Sequence, residues 1–459
     1  MKSLYSLKFV LMKKVYWSIA LLILGLSALW FTQYPKLEMI SGYYAKYTTT
    51  SVFYAGQTLP YLVENDHQAP LIEWASAEVD KDKKLVSAEV YGLQHRTAVY
   101  LDGIGAILVQ DPDQLPDLKA ARRSKTPIPL PYPQGHLEPK DTVFQEVNYA
   151  GVRAAIDGAF AQNDVQKTRS VLVLYKGHLI GEKYASPIGP DTPILGWSMT
   201  KSVLATWYGI LSDRGKLSVS DPLDLTEWQH DERSKIKIDD LLRMSSGLAW
   251  EEDYGKLSDV TRMLFQSDDM GQAALDQKSI APAGTLWNYS SGTTNALAKY
   301  MRRYFDDVHQ YTQFGYDELI DAIGMYSMLI EPDVSGTFVA SSYGWASTRD
   351  WGRFGQLYLQ KGNWNGRRIF APEWVDYITT PTLDADGAYG AHFWLNKSGT
   401  LPDVPRDMYS ANGHDGQYVY IIPSRDLVVV RTGLAEAPVF DANGFLKALL
   451  SAISPTTTP

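Results

Sequence analysis

A charge-free apolar run, Val15–Pro35, stands near the start of this chain behind Lys2, Lys8, Lys13 and Lys14 and restricts what everything after it can become. Its centre, Ile19-Ala-Leu-Leu-Ile-Leu-Gly-Leu, has no polar face to turn toward water. As a helix its 21 residues rise about 31 Å, enough to cross the hydrocarbon core of a bilayer. A cleaved signal peptide has a shorter apolar region and a small-x-small end, which Ser27-Ala28 imitates poorly. The expected reading is therefore an uncleaved signal anchor over residues 1–35. The alternatives are a cleaved signal peptide and a start at Met12-Lys13-Lys14; a buried core helix does not suit the terminal position. Because the lysines precede the run and none interrupts it, the positive-inside rule puts the N-terminus in the cytoplasm. The rest, from about residue 36, then lies on the periplasmic side of the inner membrane, held by one pass.

The remaining chain is long enough, and at 45% hydrophobic and 12% aromatic residues apolar enough, for a sizeable core. A formal net charge of −9, from 52 acidic and 43 basic residues with no basic block beyond the N-terminus, argues against a nucleic-acid partner. With no cysteine there is no disulfide, thiolate zinc site or cysteine nucleophile. The eight histidines are scattered without metal spacing, and no Gly-x-Gly-x-x-Gly or phosphate-binding loop occurs, so neither metal nor nucleotide cofactor is expected.

Residues 36–140 read as an N-terminal extension. Short β-like runs at Leu85–Tyr91, Thr97–Leu101 and Ala106–Gln110 suggest a small sheet. Thr126-Pro-Ile-Pro-Leu-Pro-Tyr-Pro, with four prolines at alternate positions, favours an extended linker or a strap across a surface. The domain boundary is expected there, ahead of a mixed α and β domain over residues 141–455. That domain opens with a helix over Val147–Phe160 and a hairpin, Val171–Tyr175 and His178–Tyr184. It closes with strands Tyr418–Ile422 and Leu427–Arg431 and a helix through Leu446, Leu449 and Ile453. The proline segment and the Pro455-Thr-Thr-Thr-Pro459 tail are its low-complexity stretches.

Chemistry enters at Gly196-Trp197-Ser198-Met199-Thr200-Lys201. Apolar residues Met199, Val203, Leu204, Trp207, Ile210 and Leu211 recur at helical spacing, and Gly215 stands where the helix should end. Ser198 and Lys201 therefore share a helical face about 5–6 Å apart, within reach of one another. An amine so placed can take the proton of a serine that attacks a carbonyl. The plain alternative makes Ser198 a helix cap and Lys201 a surface residue. A second Ser-x-x-Lys, Ser234 to Lys237, sits in a charged run and reads as solvated.

Two further stretches fit. In Trp287-Asn288-Tyr289-Ser290-Ser291-Gly292, Tyr289 could relay a proton beside an amine, or simply pack at a helix start. In Asn412-Gly413-His414-Asp415-Gly416-Gln417, glycines allow close approach of backbone to ligand and an edge strand could offer an N–H to an oxyanion. The plain alternative there is an Asn-Gly hairpin turn.

Together the three stretches resemble the serine β-lactamase and penicillin-binding-protein superfamily, in particular class C β-lactamase-like hydrolases and the 6-aminohexanoate-dimer hydrolase group. Gly215-Lys-Leu-Ser-Val-Ser-Asp-Pro, Leu241-Leu-Arg-Met-Ser-Ser-Gly and Tyr389-Gly-Ala-His-Phe-Trp look like that family too, and the likeness spans about residues 145–453. It implies an α+β fold, an antiparallel sheet flanked by helices with an all-helical lobe over roughly 215–330. It also implies roles: Ser198 as acylated nucleophile, Lys201 as general base, Tyr289 as proton shuttle, and the backbone N–H groups of Ser198 and Gln417 as oxyanion hole. Ser291, His414 and Gly416 fall at substrate-binding positions. Ser291 replaces the asparagine of lactamases and His414 the lysine that pairs with a substrate carboxylate, a weaker grip on an anion. The implied substrate is a small amide or ester. The alternative is a β-lactamase-like or D-Ala-D-Ala-peptidase-like protein that cleaves or merely binds peptidoglycan peptides. The loop Glu251–Asp269, which would size the pocket, carries no readable pattern.

Overall fold

A computed structural model describes residues 2–113 and 115–454; the Pro455–Pro459 tail lies outside the described residues. Helix α1 runs over Lys2–Phe53 and does not stop at Pro35. It is the one helix among the described residues long and apolar enough to cross a membrane. Trp17, Leu21, Leu22, Leu24 and Phe31 stand exposed on its first half, while Met39, Ile40, Tyr44 and Ala45 on its second half are buried. Pro35 removes one helical hydrogen bond, and burial of the turns beyond it offsets that loss. The threonines of this buried half survive there because each finds a partner. Thr49 donates to the carbonyl of Ala45 at 2.7 Å, Thr48 meets Nε2 of His67 at 2.9 Å, and Thr50 donates to Glu331.

The antiparallel sheet β1 (Ala75–Asp80), β2 (Leu85–Val90), β3 (Leu93–Leu101) and β4 (Gly105–Val109) follows in simple order and packs on α1. Its alternation is direct: Val86, Ala88 and Val90 of β2 are fully buried, with half-buried residues between them. This extension has no separate core on its α1 side. Met39, Ile40 and Tyr44 pack in one cluster with Leu195, Trp197, Phe265 and Trp345. Buried ion pairs join the same surfaces, Asp66 with Arg169, and Lys46 with Glu331 at 3.0 Å. The proline stretch lies across the fold as a strap. Tyr132 donates to the carbonyl of Arg349 at 2.9 Å, and Arg353 to that of Gly135 at 2.7 Å.

Strands β5 (Thr168–Tyr175) and β6 (His178–Tyr184) form the expected hairpin. They are followed by β7 (Ile194–Leu195) and the helix Met199–Asp213. The lobe after it is helical, with Asp259–Gln266, Met270–Leu275, Ser291–Met301 and Val308–Gly315. Strands β8 (Leu329–Ile330) and β9 (Gly344–Ala346) join β7 in a three-stranded sheet, order β7-β9-β8. After helix Thr348–Leu359 and the hairpin β10 (Asn363–Trp364) and β11 (Arg367–Arg368) come β12 (Trp394–Leu395), β13 (Tyr409–Gly413), β14 (Gln417–Ile422) and β15 (Leu427–Gly433). The main sheet is antiparallel with order β12-β13-β14-β15-β5-β6.

Period-two alternation splits this sheet between two cores. Leu172, Leu174, Val428 and Val430 join the helix Met199–Asp213, whereas Val171, Val173, Leu427 and Val429 pack with Val152, Leu446 and Leu449 of the first and last helices of the domain. Two expectations change. Asn412-Gly413 is not a turn, since Gly413 ends β13 and pairs with Gln417, and the chain reverses at His414–Gly416 with φ of 61° at Asp415 and 78° at Gly416. Nor is the strand after it an edge, because β14 lies between β13 and β15. The hydrophobic run Tyr418–Ile422 needs cover on both sides and gets it.

Candidate active site

The helix that Ser198 caps begins at a strained corner. Trp197 is held at φ of 47°, a left-handed conformation that bulky residues rarely adopt and that clusters at functional sites. Gly196 before it donates to the carbonyl of Gly344 at 2.8 Å, and a Cβ there would meet the Trp351 ring at 2.5 Å. The corner leaves Ser198 half-exposed as the helix cap while every residue from Met199 to Leu211 is buried.

Lys201, at 1% exposure, lies in that buried stretch. Its Nζ is 2.8 Å from Ser198 Oγ, 2.9 Å from Ser291 Oγ and 2.9 Å from the carbonyl oxygen of Ser341. Burial pulls its pKa down to about 8, against a smaller upward pull from Glu252. A neutral amine there donates its two hydrogens to Ser291 and Ser341 and turns its lone pair to the Ser198 hydroxyl. The plain alternative of a surface lysine is thereby removed, while Ser234, the second Ser-x-x-Lys serine, is exposed.

Tyr289 arrives from the loop before helix Ser291–Met301. Its ring lies 5.1 Å from Lys201 Nζ, which sets it beside the Ser198–Lys201 pair. Burial, with Glu252 adding to it, pushes its pKa up, so it keeps its proton. Tyr389 and Trp394 brace it at 5.8 and 5.4 Å between ring centres.

Ser291 is fully buried, and its hydroxyl is occupied within the site. It accepts from Lys201 and donates to Glu252, whose carboxylate also takes the Ser291 N–H at 2.8 Å and the Trp250 indole N–H. The resemblance implies a substrate contact for Ser291, whose hydroxyl hydrogen goes to Glu252 in this arrangement. Glu252 was not found from sequence, since its run Glu251-Glu252-Asp253 reads as solvated charge. Tyr254, two residues on, was missed for the same reason. Its ring stacks on His414 at 5.0 Å and 13°.

His414 and Gly416 lie on the β13–β14 turn. His414 also meets Trp197 edge-on at 5.7 Å, which brings the third stretch beside Ser198. A Cβ at Gly413 would strike the Gly196 carbonyl oxygen at 2.1 Å, and one at Gly416 the Ala435 carbonyl at 2.2 Å, so both positions need glycine. Gln417 begins β14, with its side-chain amide bonded to both backbone groups of Gly433, at 2.6 Å to the carbonyl and 3.1 Å from the N–H. Beneath the turn, buried Arg431 donates to the carbonyls of Gly416 and Ala435 at 2.8 and 2.7 Å, a clamp sequence reasoning also missed.

The family model described as Beta-lactamase matches residues 156–442. The chain is 22% identical over 304 residues to 6-aminohexanoate-dimer hydrolase of Paenarthrobacter ureafaciens, covering 58% of this chain and 72% of that one. Among solved structures it is similar to a penicillin-binding protein homolog from Caulobacter crescentus, with TM-score 0.55 and 15% identity over 69% of this chain and 100% of the other. A family VIII carboxylesterase is similar at TM-score 0.55 and 16% identity, covering 69% and 99%. With a match over well over half its length, and a serine, a lysine and a tyrosine gathered at the start of one buried helix, the chain belongs to the Beta-lactamase family.

Proposed function

We propose that this protein is a membrane-tethered serine hydrolase that cleaves a small amide or ester through an acyl-enzyme on Ser198. The observation that carries the reading is Lys201, buried and 2.8 Å from Ser198 Oγ with two other acceptors around it. In its neutral form Lys201 takes the Ser198 proton as Oγ attacks the carbonyl. Tyr289, which holds its own proton, passes it to the leaving group and is reprotonated by Lys201 with the proton taken from Ser198. The N–H groups of Ser198 and Gln417 face the developing oxyanion. Glu252 and Ser291 position Lys201, and His414 and Gly416 border the substrate. Because histidine holds a carboxylate less firmly than a fixed ammonium, linear esters and amides suit this site better than β-lactams.

The test is a fluorophosphonate probe followed by mass analysis, which should find the adduct on Ser198. Labelling that persists in Ser198→Ala would overturn the reading. In the same preparation kcat/KM for p-nitrophenyl acetate should exceed that for nitrocefin. It should also rise with pH through about 8, since burial lowers the Lys201 pKa to that value and only the deprotonated amine is a base. A profile flat from pH 6 to 10 would remove Lys201 from that role.

The tether rests on the first half of α1, whose exposed Trp17, Leu21, Leu22 and Phe31 have nothing in the fold to cover them. Expressed in a Gram-negative host, the protein should stay with membranes through a high-salt wash and be digested by protease added to spheroplasts. A soluble product starting near residue 29 would mean a cleaved signal peptide, and protection from protease the reverse topology.

A further inference from the structure

A cavity of about 690 Å³ lies between the N-terminal extension and the catalytic domain, within the size range of small-molecule sites. Met39 and Tyr43 of α1, Leu71, Ile72 and Phe265 line it, and it shares Tyr254 and His414 with the candidate active site. Tyr43 also stacks on Trp197, the residue before the nucleophile, at 6.1 Å and 18°. Tyr43 and His414, both on the cavity wall, each touch the ring of Trp197, which precedes Ser198 in the chain. Its wall also carries the charged residues Asp66, Lys167 and Asp415, of which Asp66 is engaged by Arg169 and Tyr47. Leu71 is held at φ of 74°, strained for a leucine, where the chain turns along this wall. Met39 is only four residues past Pro35, about 6 Å along the helix axis from the end of the apolar run.

We infer that this cavity takes the hydrocarbon chain of a membrane-embedded acyl ester or amide, whose carbonyl reaches Ser198. This rests on the hydrolase reading above. A largely apolar space behind the turn that carries His414 adds room for an acyl chain to the small-ester site at Ser198, and its position one to two turns beyond the apolar run sets it at the bilayer surface. The chain stays on the acyl side of the reaction. Ser198 Oγ bonds to the acyl carbon as the bond to the leaving oxygen or nitrogen breaks. The alcohol or amine departs with a proton, and water then releases the fatty acid and restores the serine.

The experiment uses the full chain reconstituted in phosphatidylcholine vesicles and compares p-nitrophenyl acetate, butyrate and octanoate. Each methylene buried should lower KM roughly two- to four-fold, so octanoate should exceed acetate in kcat/KM by at least tenfold. Ile72→Trp, which fills the cavity, and Leu71→Asp, which charges it, should each cut the octanoate-to-acetate ratio tenfold or more. An acetate-like rate for octanoate in the wild type, or a ratio that survives in a folded variant of either kind, overturns the inference while leaving the hydrolase reading intact. Failure to hydrolyse any of the esters sinks both. To separate membrane from aqueous supply, p-nitrophenyl laurate is loaded into the enzyme's own vesicles or into a separate population. Faster turnover in shared vesicles supports the membrane source, and equal turnover overturns it.

Discussion

Ser198→Ala and Lys201→Ala should each lower kcat for p-nitrophenyl acetate by roughly 10⁴- to 10⁶-fold, and the double substitution should cost little more than either alone. The two side chains are one device. Without Lys201, the Ser198 hydroxyl at 2.8 Å loses its only nearby amine, and without Ser198 the amine has nothing to activate. Residues that act as a unit are grossly non-additive, because the first loss already forfeits the step they share. Losses that multiply would show that Lys201 serves another step. Because Lys201 also holds Ser291 and Ser341 together, each variant needs a thermal melt beside the kinetics. A collapse in stability of Lys201→Ala alone would make its lost activity a folding effect, and Ser198→Ala labelling and turnover would then decide the matter.

The second large effect lies away from the chemistry. Asp66→Ala should destabilise the protein by about 3–5 kcal/mol, because it strands the Arg169 guanidinium in a buried site. Both side chains are nearly inaccessible, at 1% and 5% exposure, and Tyr47 of α1 also donates to the same carboxylate. Breaking one partner of a buried pair costs far more than the pair contributes, since the remaining charge keeps its desolvation penalty. The melt of the full chain in detergent should fall by roughly 5–10 °C, and removing both partners, Asp66→Ala with Arg169→Met, should recover part of it. A melt unchanged by Asp66→Ala would mean that water reaches Arg169 and that the extension is held by apolar packing alone.

Much of this site was legible because its signals are local. Ser198 and Lys201 are three residues apart on one helix, so spacing alone predicts their meeting, and Tyr289 stands at a helix start that the apolar residues after it mark. What could not be read depends on contacts across long stretches of chain. The carbonyl of Ser341 meets Lys201 from 140 residues away and carries no side-chain signature. Glu252 and Tyr254 lie in a loop without periodicity, where acidic residues ordinarily face water. The buried half of α1 was hidden twice, by Pro35, which usually ends a helix, and by Thr48-Thr49-Thr50-Ser51, whose polarity argues for exposure. Those threonines are buried because hydrogen bonds to Ala45, His67 and Glu331 satisfy them, and no sequence pattern announces such partners.

The uninterrupted course of α1 has a geometrical consequence. Enzymes hung from a membrane on a flexible linker sweep a hemisphere, and their local concentration at any point falls steeply as the linker lengthens. Here the rod that would cross the bilayer is the same rod that enters the core beside Trp197, with no loop between them. Height above the lipid and compass bearing around the helix axis are then both fixed by side-chain packing rather than sampled. Such a molecule searches by lateral diffusion in two dimensions, and it always presents the same side to the surface it travels on.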